Sequence, residues 1–217
     1  MINFSSFHEF GFMSGIWLPK AYSLHLQGKL NSTSSRIGTS PLFYFSPNHT
    51  EQNTTDWNSG LTSDEEYYNF YPPNFTKKDW TPPPLKEKYK NTKFIYDKPL
   101  VTINNKQTIE WGVGLFNYFP NNVLENLFDI LTPHYKVAYI RPPSDNTSTY
   151  IHDEGVPTVN TGDLDLIKTK YPEVLCIEDY ITPESSYNEI QMMLLANSNL
   201  HISCAGGDLQ LVSYFGG

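Results

Sequence analysis

Near the end of the chain, Ser203-Cys-Ala-Gly-Gly-Asp208 sets two adjacent glycines and a carboxylate between an apolar run and a helical pattern. Glycine at such a junction lets backbone approach a ligand, and the free amides of a helix start favour an anion such as a phosphate. A tight strand-to-helix turn that needs positive φ accounts for Gly206 and Gly207 equally well. The turn is neither a Gly-x-Gly-x-x-Gly fingerprint nor a phosphate loop, because no Gly-Lys-Ser/Thr follows. Two cations suit the same anion. Lys106, in the polar stretch Asn104 to Gly114, could neutralise a diphosphate leaving group as negative charge develops, and Arg141 could do so with bidentate geometry. Both also read as ordinary surface charges. Glu189, at the start of a helical pattern, either accepts hydrogen bonds from ribose hydroxyls or offsets the helix dipole, and the dipole is the simpler account.

Candidates for proton transfer are sparse. His152, followed by Asp153-Glu154, and His8, beside Glu9, have the type of side chain a general base needs. Histidines beside acids are also common on surfaces, so the catalytic set stays open. Six scattered histidines and two separated cysteines show no zinc-ligand spacing, and no metal is expected. A Gly-x-Ser-x-Gly elbow is absent, which argues against a serine hydrolase.

These residues need a folded frame, and the bulk numbers allow one. A chain of 217 residues with 39% hydrophobic and 18% charged residues can bury a real core. A net charge of -8 argues against a general nucleic-acid binder. No apolar run reaches membrane-spanning length, and Met1 to Lys20 lacks the layout of a secretion signal. Cys176 and Cys204 sit in short apolar runs and read as free buried thiols, consistent with a cytoplasmic protein. Glycosylation sequons occur at Asn31, Asn48, Asn53, Asn74 and Asn146 among other places, and chance explains such matches in a chain rich in Asn, Ser and Thr.

Two regions differ in pattern. Residues 1–97 are irregular, aromatic and proline-rich, with breakers at Tyr71-Pro-Pro and Trp80-Thr-Pro-Pro-Pro. Within them Pro19 to Gln27 predicts a helix closed by Gly28, Pro41 to Ser46 a strand, and His49 to Asn69 a polar loop. Residues 98–217 alternate apolar strands with helices. The expected strands are Pro99–Asn104, Tyr135–Ile140, Val174–Ile177 and Leu200–Cys204. The expected helices are Asn121–Leu131, Gly162–Lys170, Pro183–Ser198 and one that begins at Asp208. This order implies a mostly parallel sheet with helices on both faces and ligands at the carboxyl ends of the strands. Such a sheet would usually carry one or two more strands, so the sequence reads as a possible fragment.

Several segments of this frame resemble the donor-binding half of GT-B-type glycosyltransferases. They are Tyr187-Asn-Glu-Ile-Gln191, Ala196-Asn197, Ile202-Ser203 with Gly206-Gly207, and Ser213-Tyr-Phe-Gly-Gly217. Asn105-Lys106 with Glu110-Trp111-Gly112, Phe45-Ser-Pro-Asn-His49 and Trp80-Thr-Pro-Pro-Pro84 look similar to a bacterial and large-virus group of glycosyltransferase-like proteins. A looser likeness is to the family that transfers xylose or N-acetylglucosamine. The resemblance implies two Rossmann-like lobes, a partial acceptor side in residues 1–97 and a nucleotide-sugar-binding lobe in residues 98–217. It implies a donor site drawn from Asn105, Lys106, Arg141, Glu189, Ser203, Gly206, Gly207 and Asp208, with a glycan as acceptor. No cofactor is implied beyond the nucleotide sugar itself, and no metal. The alternatives are a non-catalytic nucleotide- or carbohydrate-binding module, or another Rossmann-type sugar-nucleotide enzyme. The missing glycine fingerprint after the first strand of the frame counts against the last.

Overall fold

The computed structural model describes residues 1–8, 10–52, 80–107, 109, 114–143 and 159–216. His152 with its acidic neighbours, Glu9, the Tyr71-Pro-Pro breaker and Glu110-Trp111-Gly112 lie outside the described residues. The protein is α/β, with two parallel sheets flanked by helices. It divides into two compact units, Met1–Pro84 and Leu85–Gly217, so the boundary follows Pro84 and not Asp97.

The amino-terminal unit contains a three-stranded parallel sheet in the order β1 (Ile2–Ser6), β2 (Leu30–Arg36), β3 (His49–Gln52). Helical turns from Phe10 lead into α1 (Leu18–Leu26), which carries Pro19 in its first turn. Gly28, at φ +66, closes α1: its amide donates to the His25 carbonyl, and the Lys29 amide donates to Leu24. That pair of bonds ends a helix with a left-handed residue, as the sequence predicts. The expected irregular region is thus a small sheet with its own core of Phe4, Trp17, Leu18, Leu24 and Phe43.

Two expectations in this unit fail, for one reason. Pro41 to Ser46 is a run of turns and not a strand, with the Leu42 and Phe43 amides bonded three residues back to Thr39 and Ser40. Its aromatics are buried through ring contacts, Phe43 stacked on His49 and Phe45 edge-on to Tyr22. The strands instead fall on polar sequence, Leu-Asn-Ser-Thr-Ser-Ser-Arg and His-Thr-Glu-Gln. Their buried polar groups find partners across the fold: Thr33 Oγ1 lies 2.7 Å from His49 Nδ1, Ser35 bonds Thr39, and Arg36 Nε donates to the Phe7 carbonyl at 2.9 Å.

The carboxy-terminal unit opens with a short helix, α2 (Leu85–Tyr89). It then builds a four-stranded parallel sheet from β4 (Leu100–Asn104), β5 (Lys136–Ile140), β6 (Leu175–Cys176) and β7 (Leu200–Ser203). Between the strands lie α3 (Asn121–Leu131), α4 (Asp163–Lys170) and α5 (Tyr187–Asn197), and α6 (Gly207–Ser213) follows β7. These elements match the expected ones apart from their end residues, and Ile177–Tyr180 leaves β6 as a 3-10 turn.

Strand β4 is buried along its whole length, which is why it reads as a nearly continuous apolar run. Helix α3 places Leu124, Phe128 and Leu131 on one stripe, and they pack with Val101, Ile103, Val137 and Tyr139 on one face of the sheet. Helix α5 covers the other face, where Ile190 and Leu194 meet Leu100, Ala138 and Ile140. It begins at Tyr187 because Ser186 Oγ accepts the Glu189 amide at 3.3 Å, in the spacing of a capping box.

The sheet order is β6-β5-β4-β7. The chain leaves β4, steps outward to β5 and β6, then returns over the sheet through α5 to β7 on the far side of β4. Strand order therefore reverses between β4 and β7, the place where open parallel sheets leave a crevice at their carboxyl ends. Among the described residues, no helix is long and apolar enough to cross a membrane.

Phe128 is fully buried between Tyr139 and Tyr171. Phe128→Ala is expected to destabilise the carboxy-terminal unit by about 3–5 kcal/mol, read as a shift of its denaturant midpoint.

Candidate functional site

The carboxyl ends of β4 and β7 bring together two segments that are distant in sequence. Asn104 and Ser203 are register partners, so Asn105-Lys106-Gln107 and Cys204-Ala-Gly-Gly-Asp208 leave the sheet side by side. Lys106 is half-buried and reaches over the turn: a Cβ on Gly206 would lie 3.7 Å from Lys106 Cδ and 3.8 Å from its ammonium. Gly206 has φ +150, a conformation that side-chain-bearing residues rarely adopt. The tight-turn account of this glycine is therefore correct, and it leaves bare backbone beside a cation. The Asn117 side-chain amide also donates to the Ala205 carbonyl, tying the turn to the segment before α3.

Helix α6 starts at Gly207 and runs for only seven residues. A helix this short supplies little dipole, so positive potential in the crevice comes chiefly from Lys106. Asp208 accepts from Gln191 Nε2 at 3.3 Å. Burial raises the Asp208 pKa above the usual carboxylate range, against the opposing pull of the Gln191 hydrogen bond and the Lys106 charge. Ser203 Oγ donates to the Cys204 carbonyl at 2.9 Å, which occupies its hydrogen.

Arg141 and Asn105, expected to meet the ligand, are spent on the protein. Arg141 is 1% exposed, with Nε 3.1 Å from Asp163 Oδ2 and a terminal nitrogen 3.1 Å from Glu178 Oε1. A guanidinium held by two carboxylates has no charge to spare for a diphosphate. Tyr139 donates to Asp163 at 2.8 Å; burial and that carboxylate raise its pKa, so it stays protonated. Asn105 Oδ1 accepts the Lys106 and Phe119 amides at 3.0 and 2.8 Å, and its Nδ2 donates to the Phe119 carbonyl and Tyr139 hydroxyl. Gln107 Nε2 adds a 2.8 Å bond to Thr161 beside Asp163. The network joins the segments after β4 and β5 to the start of α4, and so fixes the backbone from which Lys106 extends.

Glu189 lies in the first turn of α5 and is half-exposed there, the position the helix-dipole account assigns to it. His8 lies in the amino-terminal unit. Its ring stacks on Trp17 at 5.2 Å, and burial, with help from Arg36, lowers its pKa. It is therefore neutral at pH 7, the form a general base requires. Among the described residues, no group of three or more His, Cys, Asp or Glu is placed to hold a metal ion.

Asn104 and Gln191, which the sequence places only within the Asn104 to Gly114 stretch and the Tyr187 to Gln191 segment and gives no role of their own, are both fully buried. A polar residue closing an otherwise apolar strand was the available signal for Asn104. Gln191 gave none, since a glutamine on a helix is ordinarily solvent-facing.

No protein-family model matches the chain, and neither a curated protein nor a solved structure is significantly similar to it.

Removing one member of a buried ion pair strands the other charge. Arg141→Ala is expected to cost about 3–5 kcal/mol in an equilibrium unfolding experiment. Burial, followed by the charge of Asp208, pushes the Cys204 thiol up to about 11, and burial, followed by the charges of Asp179 and Glu178, pushes Cys176 up to about 12. The thiol is the neutral form, so a raised pKa removes thiolate at neutral pH. Alkylation of Cys204 by iodoacetamide, followed by mass spectrometry, is expected to be slow at pH 8. Its rate should still be climbing above about pH 10, where an unfolded cysteine has nearly levelled off.

Proposed function

We propose that the carboxy-terminal unit binds a nucleotide sugar and that the protein is a glycosyltransferase acting on a glycan acceptor. The observation that carries this reading is Lys106 lying over the side-chain-free Gly206 at the strand-order reversal. Parallel α/β sheets take ligands at that point, and a cation beside open backbone suits a diphosphate. As the bond from the donor sugar to its phosphate breaks, negative charge builds on the departing diphosphate. Lys106 offsets it without a metal. Arg141 acts at one remove, holding Asp163 and Glu178 so that the loop carrying Lys106 keeps its place. Two parallel α/β units in one chain, together with free cysteines at positions 176 and 204, support a two-lobed enzyme of the cytoplasm.

The test is thermal shift against a panel of nucleoside diphosphates and their sugar conjugates. A ligand present at a hundred times its dissociation constant should add about 2.7 kcal/mol, a readily measured rise in Tm. Lys106→Ala should abolish most of that rise while leaving the unliganded Tm near wild type. Absence of any shift across the panel would sink the proposal. Where binding is seen, slow release of free sugar from the conjugate distinguishes an enzyme from a binding module.

A further inference from the structure

Beside Lys106, the same corner of the carboxy-terminal unit holds polar atoms that the protein does not use. Asn104 is fully buried, yet among the described residues neither its Oδ1 nor its Nδ2 has a hydrogen-bond partner. Alternation along β4 places it on the face covered by α5. Leu100 packs there against Ile190 and Leu194, and Thr102 meets His201 Nδ1 at 2.9 Å. Gln191, on α5, is also fully buried, and its Oε1 is likewise without a partner while its Nε2 is committed to Asp208. Asp208 in turn lies within the field of Lys106.

An unpaired buried amide keeps its full desolvation penalty, whereas an apolar residue of the same shape would not. Two such groups at the sheet's ligand-binding edge call for an occupant with matching chemistry. The unused atoms are two amide oxygens and one amide NH2, with the Asp208 carboxyl at the margin. Acceptors outnumber donors, so an anion finds too few hydrogens here. A cation is opposed by Lys106. A hydroxyl both donates and accepts, and carries no charge.

We infer that Asn104, Gln191 and Asp208 form a subsite for the hydroxyl groups of a neutral sugar, adjoining the phosphate position at Lys106. The inference rests on the nucleotide-sugar reading above and assigns the sugar its own residues within it. The sugar hydroxyls supply the hydrogen bonds that Asn104 and Gln191 lack. An analogue without those hydroxyls leaves the same amides unpaired, which makes the corner selective as well as adhesive.

The experiment compares wild type, Asn104→Leu, Gln191→Met and Lys106→Ala by calorimetry. The probes are the nucleoside diphosphate that stabilises the protein best, its glucose conjugate, and free glucose. Asn104→Leu should hold or raise the unliganded Tm, because it removes an unpaired buried amide. It should weaken the glucose conjugate about tenfold and leave the nucleoside diphosphate unchanged. Gln191→Met should weaken the glucose conjugate likewise, with a lower unliganded Tm because Asp208 loses the Gln191 Nε2 donor, while Lys106→Ala weakens both nucleotides. If Asn104→Leu and Gln191→Met weaken the two nucleotides equally, or neither, the subsite is overturned and the donor reading survives. A fall in Tm with unaltered binding of the conjugate would mark Asn104 as structural and overturn it too. If wild type binds no nucleotide at all, the donor reading falls. Glucose alone then decides the subsite: Asn104-dependent binding at tens of millimolar, on the order of a weak sugar contact, supports it, and none overturns it.

Discussion

The buried pair of Arg141 and Asp163 holds the carboxyl edge of the larger sheet together. Arg141 leaves β5, Asp163 opens α4, and Glu178 follows β6, so one guanidinium links three connections that share no local sequence. Tyr139 and Asn105 extend the link to the segment after β4. Charges taken out of water repay their desolvation only where geometry and extra hydrogen bonds are good. Here Asp163 gains Tyr139 and Thr161 as donors, and Arg141 gains the Pro142 carbonyl. The cluster is a weak source of net stability and a strong source of order, since any other arrangement of these loops would strand a charge.

That order reaches Lys106 through one residue. Asn105 accepts the Lys106 amide and is itself gripped by Tyr139 and by both backbone groups of Phe119. The cation thus emerges from a fixed point, next to a glycine whose conformation excludes a side chain. Placement, rather than perturbed acidity, makes this corner chemically useful. The thiol of Cys204 and the carboxyl of Asp208 are both pushed toward their neutral forms by burial.

The amino-terminal unit reaches a parallel sheet by a different route. Its second and third strands are mostly polar, Leu-Asn-Ser-Thr-Ser-Ser-Arg and His-Thr-Glu-Gln, with Thr33, Ser35 and Arg36 buried. No hydrophobic period marks such strands. They persist because their buried polar residues reach tertiary partners, as Thr33 reaches His49 and Arg36 Nε the Phe7 carbonyl. The aromatics that resembled a strand at Pro41 to Ser46 instead fill the core from turns.

The division between local and distant information follows from these two units. Residues 98–217 announced their strands and helices because parallel strands covered on both faces must be apolar, and because α3 repeats its apolar positions at helical spacing. The ends of those strands also marked where polar residues of interest would fall, Lys106 and Gly206 among them. The orientation of those residues lay beyond any local reading. Arg141 has the same chemistry whether it meets a phosphate or a carboxylate, and Asp163 and Glu178, far along the chain, settle which. Asn104 is an unremarkable strand-end residue until β7 and α5 enclose it and leave its amide unpaired. Residue type and period are properties of a segment, whereas burial and partnership arise only when distant segments close upon one another.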